Sequence, residues 1–291
     1  MKKVALFLAL LPGVICSVRG QLLLVENFDY PVGDLITAHG WIAHSGTENP
    51  VTVTPASIAY YGYLSSGTGN EILLKNTGED DHKVFPAQDS GAVYAAFLVN
   101  IVAAKTTGDY FIHLGRSNIG TTLRGKVFVK KNAEGGVAFG ITQASSAAAQ
   151  VSYTPFSYAL NTTYLLVLKY TFTPGPDNDV ASLFINPVIG LTEPLPTITN
   201  TDVPSDPADI GSFSLRQGTV SSAPELKLDG IRVGLRWENI LPPAVPAQTL
   251  VTGVVAGGET RCFNATQTIT VAGNQGNFVV QPGGKVTLVA G

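Results

Sequence analysis

The side chains able to do chemistry in this chain are few and spread out. Its four histidines are His39, His44, His82 and His113, and no two form a His-x-x-x-His or His-Glu pair. Zinc sites draw on such spacings or on Cys-x-x-Cys, and neither occurs. Serine-based acyl transfer needs a serine activated by a histidine and an acid, and the Gly-x-Ser-x-Gly elbow is absent. No phosphate loop or dinucleotide fingerprint is present either. Glycoside hydrolysis needs two carboxylates flanking the scissile bond. The densest acidic run is Glu79-Asp80-Asp81, inside a segment, 76–86, that reads as a solvated acidic loop. His113 lies on a strand-like segment beside Phe111 and reads as a sheet histidine. His39 and His44 flank Trp41 and read as loop residues. Tyr60, Tyr61 and Tyr63 stand next to a polar stretch ending at Asn70. Those four residues could form a sugar platform, in which rings stack on the C–H face of a sugar and amides bond its hydroxyls. The alternative is an edge strand with tyrosines in the core.

The elements that must position these groups read as strands. Only 13% of residues are charged, and Val, Thr and aromatic residues, which favour strands, recur between Gly, Pro, Asn and Asp clusters. Strand signals fall at 22–28, 51–54, 71–75, 92–102, 110–115, 123–130, 137–142, 163–172, 180–186, 210–217 and 226–237. The 163–172 segment alternates Tyr164, Leu166, Leu168 and Tyr170 with Leu165, Val167, Lys169 and Thr171. That pattern predicts a core strand with one face fully buried and the other partly covered. Residues 180–186 should pair with it across the turn at 174–179. The Ala-rich 144–149 stretch is too short for a stable helix and reads as a loop. Many short strands without helical crossovers predict an all-β fold of antiparallel sheets, a sandwich or a barrel.

The N-terminus carries Lys2 and Lys3, an apolar run, and small residues before Gln21. This order describes an export signal over 1–20, and the run is too short to span a membrane. Without it, 15 basic and 21 acidic residues remain, which argues against nucleic acid as a partner. Cys16 leaves with the signal, so Cys262 has no partner for an internal disulfide. Residues 241–247 hold three prolines and read as a linker. Residues 248–291 change texture to short, glycine-punctuated strand pieces, a partial β module. The expected organisation is a signal at 1–20, a sandwich at 21–240, the linker at 241–247 and the module at 248–291.

Glu26-Asn27-Phe28-Asp29-Tyr30-Pro31 with Gly40-Trp41 resembles the first strand of concanavalin-A-like (laminin-G-like) jelly rolls. Leu228 to Gly234 resembles their last strand, and Asn161 to Tyr170 their central one. Such domains are frequent in secreted Bacteroidetes proteins, and the tail resembles the β-stack modules of their surface proteins. The resemblance implies an all-β, two-sheet antiparallel jelly-roll sandwich over about 21–240. Hydrolytic relatives carry Glu-x-Asp-x-x-Glu on one strand. Here Glu79 and Asp81 are followed by Val84, so the last carboxylate is missing. Relatives also use a structural ion to join first and last strands. This implies Ca²⁺ held by Glu26, Asp229 and a carbonyl near Gly40. The alternative is that both carboxylates cap strand ends and accept backbone donors. Asp177-Asn178-Asp179 fails as a helix–loop–helix calcium loop and reads as a hairpin turn. The resulting expectation is an exported, cell-surface, non-catalytic recognition or adhesion protein with a glycan or surface polymer as ligand. A ligand-free structural domain and a glycoside hydrolase with an atypical site are the alternatives.

Overall fold

The computed structural model describes residues 22–202 and 205–242, together with strand segments at 262–263, 266–271, 279–280 and 285–290. The export segment at 1–20 and linker residues 243–247 lie outside the described residues. Fifteen strands build the sandwich. In chain order they are β1 (Leu22–Glu26), β2 (Ile42–Ser45), β3 (Val53–Thr54), β4 (Glu71–Leu74), β5 (Asp80–Gln88), β6 (Ala92–Ala103), β7 (Asp109–Gly115) and β8 (Leu123–Lys131). They continue as β9 (Val137–Thr142), β10 (Ser152–Tyr153), β11 (Thr163–Thr171), β12 (Val180–Ile185), β13 (Ile198–Asn200), β14 (Ile210–Leu215) and β15 (Glu225–Gly234).

The first sheet runs β13-β12-β11-β6-β15-β4-β3, with β1 also paired to β15. The second runs β10-β9-β8-β7-β14-β5-β2. All pairings in both sheets are antiparallel. The chain therefore folds with the antiparallel sheets that its strand pattern predicts, arranged as the two-sheet jelly-roll sandwich that the resemblance implies. First and last strands meet, with Glu26 opposite Ile231, and β11 pairs β12 across the 174–179 turn.

The main core lies between the sheets. Val93, Phe97, Leu166, Leu168 and Tyr170 from the first sheet meet Phe111, Val127, Phe139, Phe213 and Leu215 from the second. The first sheet is covered on its other face too. There Tyr94, Leu98, Leu165, Val167 and Phe184 pack with Tyr63, Trp237, Ile240 and Leu241. This double burial explains the apolar residues at both alternations of β11. Two elements differ from expectation. The last strand stops at Gly234, and a helical turn, α1 (Trp237–Ile240), follows. That turn lays Trp237 against Phe184 and Tyr94. Of segment 76–86, expected as a loop, residues 76–79 do join strands as a loop, but 80–86 enter the ladder as part of β5, between β14 and β2. With the first sheet covered on both sides, the outer face of the second sheet is the sandwich surface left to carry a site.

In the tail, β16 (Cys262–Phe263), β17 (Thr266–Val271), β18 (Val279–Val280) and β19 (Lys285–Ala290) form two pairs. β16 pairs β18 and β17 pairs β19, and both pairings are parallel.

Candidate functional site

Register places the polar side chains of the second sheet. Phe213 and Leu215 point into the core, and their partners Lys83 and Asp81 share that inner side. Ser214, between them, pairs with His82 on one side and His113 on the other. Those three lie on the outer face, and Ile42, opposite His82, brings His44 two residues on to the same face. Tyr110 opposes Phe128, which opposes Gly140, and Gly140 opposes Tyr153. A Cβ on Gly140 would lie 2.6 Å from the Tyr153 ring. Glycine here lets that ring lie down on the sheet.

The result is a continuous band of six rings across β2, β5, β7, β8 and β10. Centroid separations are 5.0 Å for His44–His82, 6.2 Å for His44–His113 and 5.9 Å for His113–Tyr110. Tyr110–Phe128 follows at 5.4 Å and Phe128–Tyr153 at 6.4 Å. Cations sit over the tyrosines. The Arg216 guanidinium is 4.1 Å and the Lys126 ammonium 5.1 Å from the Tyr110 centroid, and Lys130 is 3.7 Å from that of Tyr153. Cations over ring faces are attracted by the ring quadrupole. Arg216 is held by Asp109 at 2.9 Å, and Asp109 also accepts from Ser222.

The three imidazoles are held neutral. His113 is buried, its Nδ1 is 3.1 Å from the Leu114 carbonyl, and burial pushes its pKa down to about 3. His44, partly exposed, is pushed down to about 4 by burial and then by the neighbouring His82. His82 is lowered too, chiefly by burial. Its Nδ1 stands 3.2 Å from the Nδ1 of His44, so one ring donates and the other accepts. A neutral, partly exposed imidazole is chemically a base. Asp80, which accepts from the Gln217 N–H, is pushed up to about 6, mainly by burial.

The residues singled out from the sequence do not converge on one site. Tyr63 is buried and donates to the Gly230 carbonyl at 2.6 Å, whereas Tyr61 is fully exposed. Tyr60 is half-buried, and Asn70 donates to the Tyr30 carbonyl. These four do not share one open face. Glu26 is buried and accepts from Phe28 N–H, Tyr30 O–H, Trp41 Nε1–H and the Lys83 ammonium. Lys83 also donates to the His39 carbonyl at 3.0 Å, next to Gly40. A cation does sit between Glu26 and the turn at Gly40, but it is a lysine side chain. Asp229 accepts instead from Ser57 Oγ, Ile58 N–H and Gly230 N–H. Among the described residues no three His, Cys, Asp or Glu side chains converge to hold a metal. This donor set does not fit Ca²⁺, because an ammonium already occupies the place the ion would take. The chain is expected to melt at the same temperature in calcium and in chelator. A rise of several degrees with calcium that is lost in Glu26→Gln would show that the ion displaces Lys83.

No family model matches the chain, and no curated protein matches it. Solved structures do match its fold. One is an alginate lyase, Aly36B, bound to alginate trisaccharide, with 13% identity, 73% of this chain and 97% of that one covered, and TM-score 0.42. Another is domain 4 of an extracellular arabinanase of Geobacillus stearothermophilus with arabinotriose, with 14% identity, 76% and 97% coverage and TM-score 0.41. A third is an endo-1,3-β-glucanase of Streptomyces sioyaensis, with 12% identity, 74% and 95% coverage and TM-score 0.42. At such identities the likeness is one of fold alone. It does correct one expectation. Several of these similar structures are glycoside hydrolases or alginate lyases, and the expectation of a non-catalytic chain is withdrawn. His44, His82 and His113 meet in one cluster, whereas His39 pairs with Asp34 and stacks on Tyr30.

Proposed function

We propose that this chain is a carbohydrate-active protein that engages a glycan along the ring band of the second sheet and uses His44 as a base. The observation that carries this reading is the juxtaposition of three neutral imidazoles, Tyr110 and the cations Arg216 and Lys126 on one outer sheet face. His44 and Tyr153, the partly exposed rings, offer stacking surface over a floor of the buried rings His82, His113, Tyr110 and Phe128, and nearby donors fix orientation. A signal segment at residues 1–20 would deliver this face to the outside of the cell, where polysaccharide is found.

The chemistry follows from which groups are free. Hydrolysis by paired carboxylates requires an acid and a base on opposite sides of a glycosidic bond. Here Asp109 is committed to Arg216 and Ser222, and Asp80 to Gln217. His44 is the partly exposed base, backed by His82. A base on a sheet face that also carries cations suits removal of a proton from carbon next to a carboxylate, where cations that contact the substrate stabilise the charge that develops. Incubation with a panel of neutral and acidic polysaccharides tests the reading. New reducing ends report cleavage, ultraviolet absorbance of an unsaturated sugar reports elimination, and affinity electrophoresis reports binding. The expected outcome is turnover of one polymer that falls about 10²–10⁴-fold in His44→Ala while binding persists. No binding and no turnover across the panel would overturn it.

A further inference from the structure

Beside the ring band, where β8 passes under the 143–150 loop, lies a cavity of about 550 Å³. Arg124 and Lys126 line it, with Ser145, Gln150 and Asp202 across from them. The local sequence explains why two cations share one wall. β8 bulges at Gly125, whose φ is 55° and whose N–H donates to the Gln143 carbonyl at 2.7 Å. A bulge turns side chains that would otherwise be spaced along the strand. A Cβ on Gly125 would meet Leu168 of the core at 3.2 Å, so the residues on either side point outward.

Both cations are buried, with Arg124 8% and Lys126 6% exposed. Neither forms an ion pair among the described residues, unlike Arg216 with Asp109. Arg124 donates to two carbonyls, Leu123 at 3.1 Å and Ser205 at 2.5 Å, and its Nε has no partner among the described residues. Lys126 donates to Ser146 Oγ at 2.8 Å. Burial, then Arg124 and Arg216, lower its pKa to about 8. The one carboxylate in the wall, Asp202, already accepts from the N–H groups of Gln143, Ala144 and Ser145. Buried cations without a counter-ion are costly, and an anion that bonds to them removes that cost.

We propose that this cavity is an anion subsite that takes the negatively charged substituent of a glycan, a uronate carboxylate or a sulfate ester, between Arg124 and Lys126. The inference rests on the glycan reading and narrows it to acidic polysaccharide. The volume falls in the range of small-ligand sites, roughly 300–1,000 Å³, so the cavity has room for a sugar ring rather than a bare ion. Lys126 belongs to both regions, since its ammonium lies over Tyr110 as well. A ring whose acidic group sits here would have its neighbours on the ring band.

Calorimetric titration of the full chain with three oligosaccharides of matched length, one uronate, one sulfated and one neutral, provides the test. Lys126→Met and Arg124→Gln probe the cavity, and Arg116→Gln, an exposed arginine paired with Asp209, is the control. The expected result is preference for one acidic oligosaccharide, the two acidic arms showing which anion is recognised. Loss of one charge-assisted bond should weaken binding by tenfold or more in Lys126→Met and Arg124→Gln, about 1.4 kcal/mol or above, with none in the control. Because neither cation is ion-paired, both variants should lose no more stability than their hydrogen bonds to Leu123, Ser205 and Ser146 supply, and a cooperative melt of each separates lost binding from lost folding. Equal affinity for neutral and acidic chains, or equal losses on both, would overturn the anion site and leave the glycan reading standing. Binding of free glucuronate or sulfate at this cavity, without binding of any oligosaccharide, would uphold the anion chemistry and overturn the glycan reading. No binding by any probe overturns both.

Discussion

Lys83→Met is expected to destabilise the sandwich by about 3 kcal/mol, because it strands the charge of Glu26. Glu26 is 3% exposed, and the Lys83 ammonium is the only cation paired with it among the described residues. Burial by itself would lower the pKa of Lys83, but its hydrogen bond and charge contact with Glu26 outweigh this, and the pKa is raised. The ammonium therefore stays charged across the physiological range. Methionine keeps most of the apolar stem between Trp41 and Tyr30, so the loss reports charge rather than packing. Three neutral donors remain on Glu26, from Phe28, Tyr30 and Trp41, and they limit the cost. Adding Glu26→Gln to Lys83→Met should recover most of the stability, since an amide needs no counter-ion. Urea denaturation of wild type and both variants checks this. A double variant as unstable as the single one would mean that the lysine acts through its stem. The same pair ties β1 to the inner side of β5, so it also fixes how the first strand closes on the second sheet.

The β5 strand shows why part of the fold was hidden in the sequence. Strand β11 was readable because both its faces meet apolar neighbours, and its partner followed after an obvious turn. β5 begins Asp80-Asp81-His82-Lys83, four polar residues in a row. Asp80 and His82 face one side of the sheet and Asp81 and Lys83 the other. Neither alternation shows an apolar member there, so the period-two signal of a half-buried strand is lost. What makes the strand is tertiary: β14 and β2 supply its ladder from 130 residues later and 40 earlier in the chain, as Phe213↔Lys83 and Ile42↔His82 show.

The candidate site was hidden for the same reason. Its rings come from five strands, and only β7, β8 and β9 are joined by simple hairpins. His44, His82 and His113 carry no spacing motif because their proximity depends on β14 and β5 lying between β7 and β2. The one local hint was in Tyr110 and His113, both on a strand that sequence reading had placed correctly. By contrast, Tyr60, Tyr61 and Tyr63 looked like a cluster because they are adjacent in sequence. Their segment is a set of turns rather than an edge strand, so adjacent rings diverge and only Tyr63 is fully drawn into the cover of the first sheet. Glu26 and Asp229, singled out as calcium ligands or strand caps, are both buried at the closing strands. Their partners, an ammonium on β5 for one and backbone amides with a serine for the other, come largely from segments distant in the chain that no pattern in the sequence places.

Asp81→Asn is expected to stabilise the protein, by an amount that grows with pH. Asp81 faces the core side of β5 opposite Leu215, is fully buried, and neither carboxylate oxygen accepts a hydrogen bond among the described residues. Burial, with the charges of Glu79 and Asp80, pushes its pKa from the ordinary 3.8 up to about 7. A carboxyl whose folded pKa is raised binds its proton more tightly in the folded state. The folded state therefore pays nothing below pH 3.8, a growing cost between 3.8 and about 7, and the full cost above. Three pH units correspond to about 4 kcal/mol, which is a ceiling for the gain at pH 8. Asparagine keeps the shape and removes the charge, and its amide is no better bonded than the protonated acid, so the two should match at pH 4. For a domain of this size each kcal/mol moves the melting temperature by about 2–4 °C. Melts of wild type and Asp81→Asn at pH 4.5 and pH 8 should show a gain of at most a few degrees in the first buffer and a clearly larger one in the second. A gain of equal size at both values would mean that shape, not charge, is at issue. A loss at pH 8 would mean that the ionised carboxylate has a partner worth keeping, and that the inner end of β5 binds a cation.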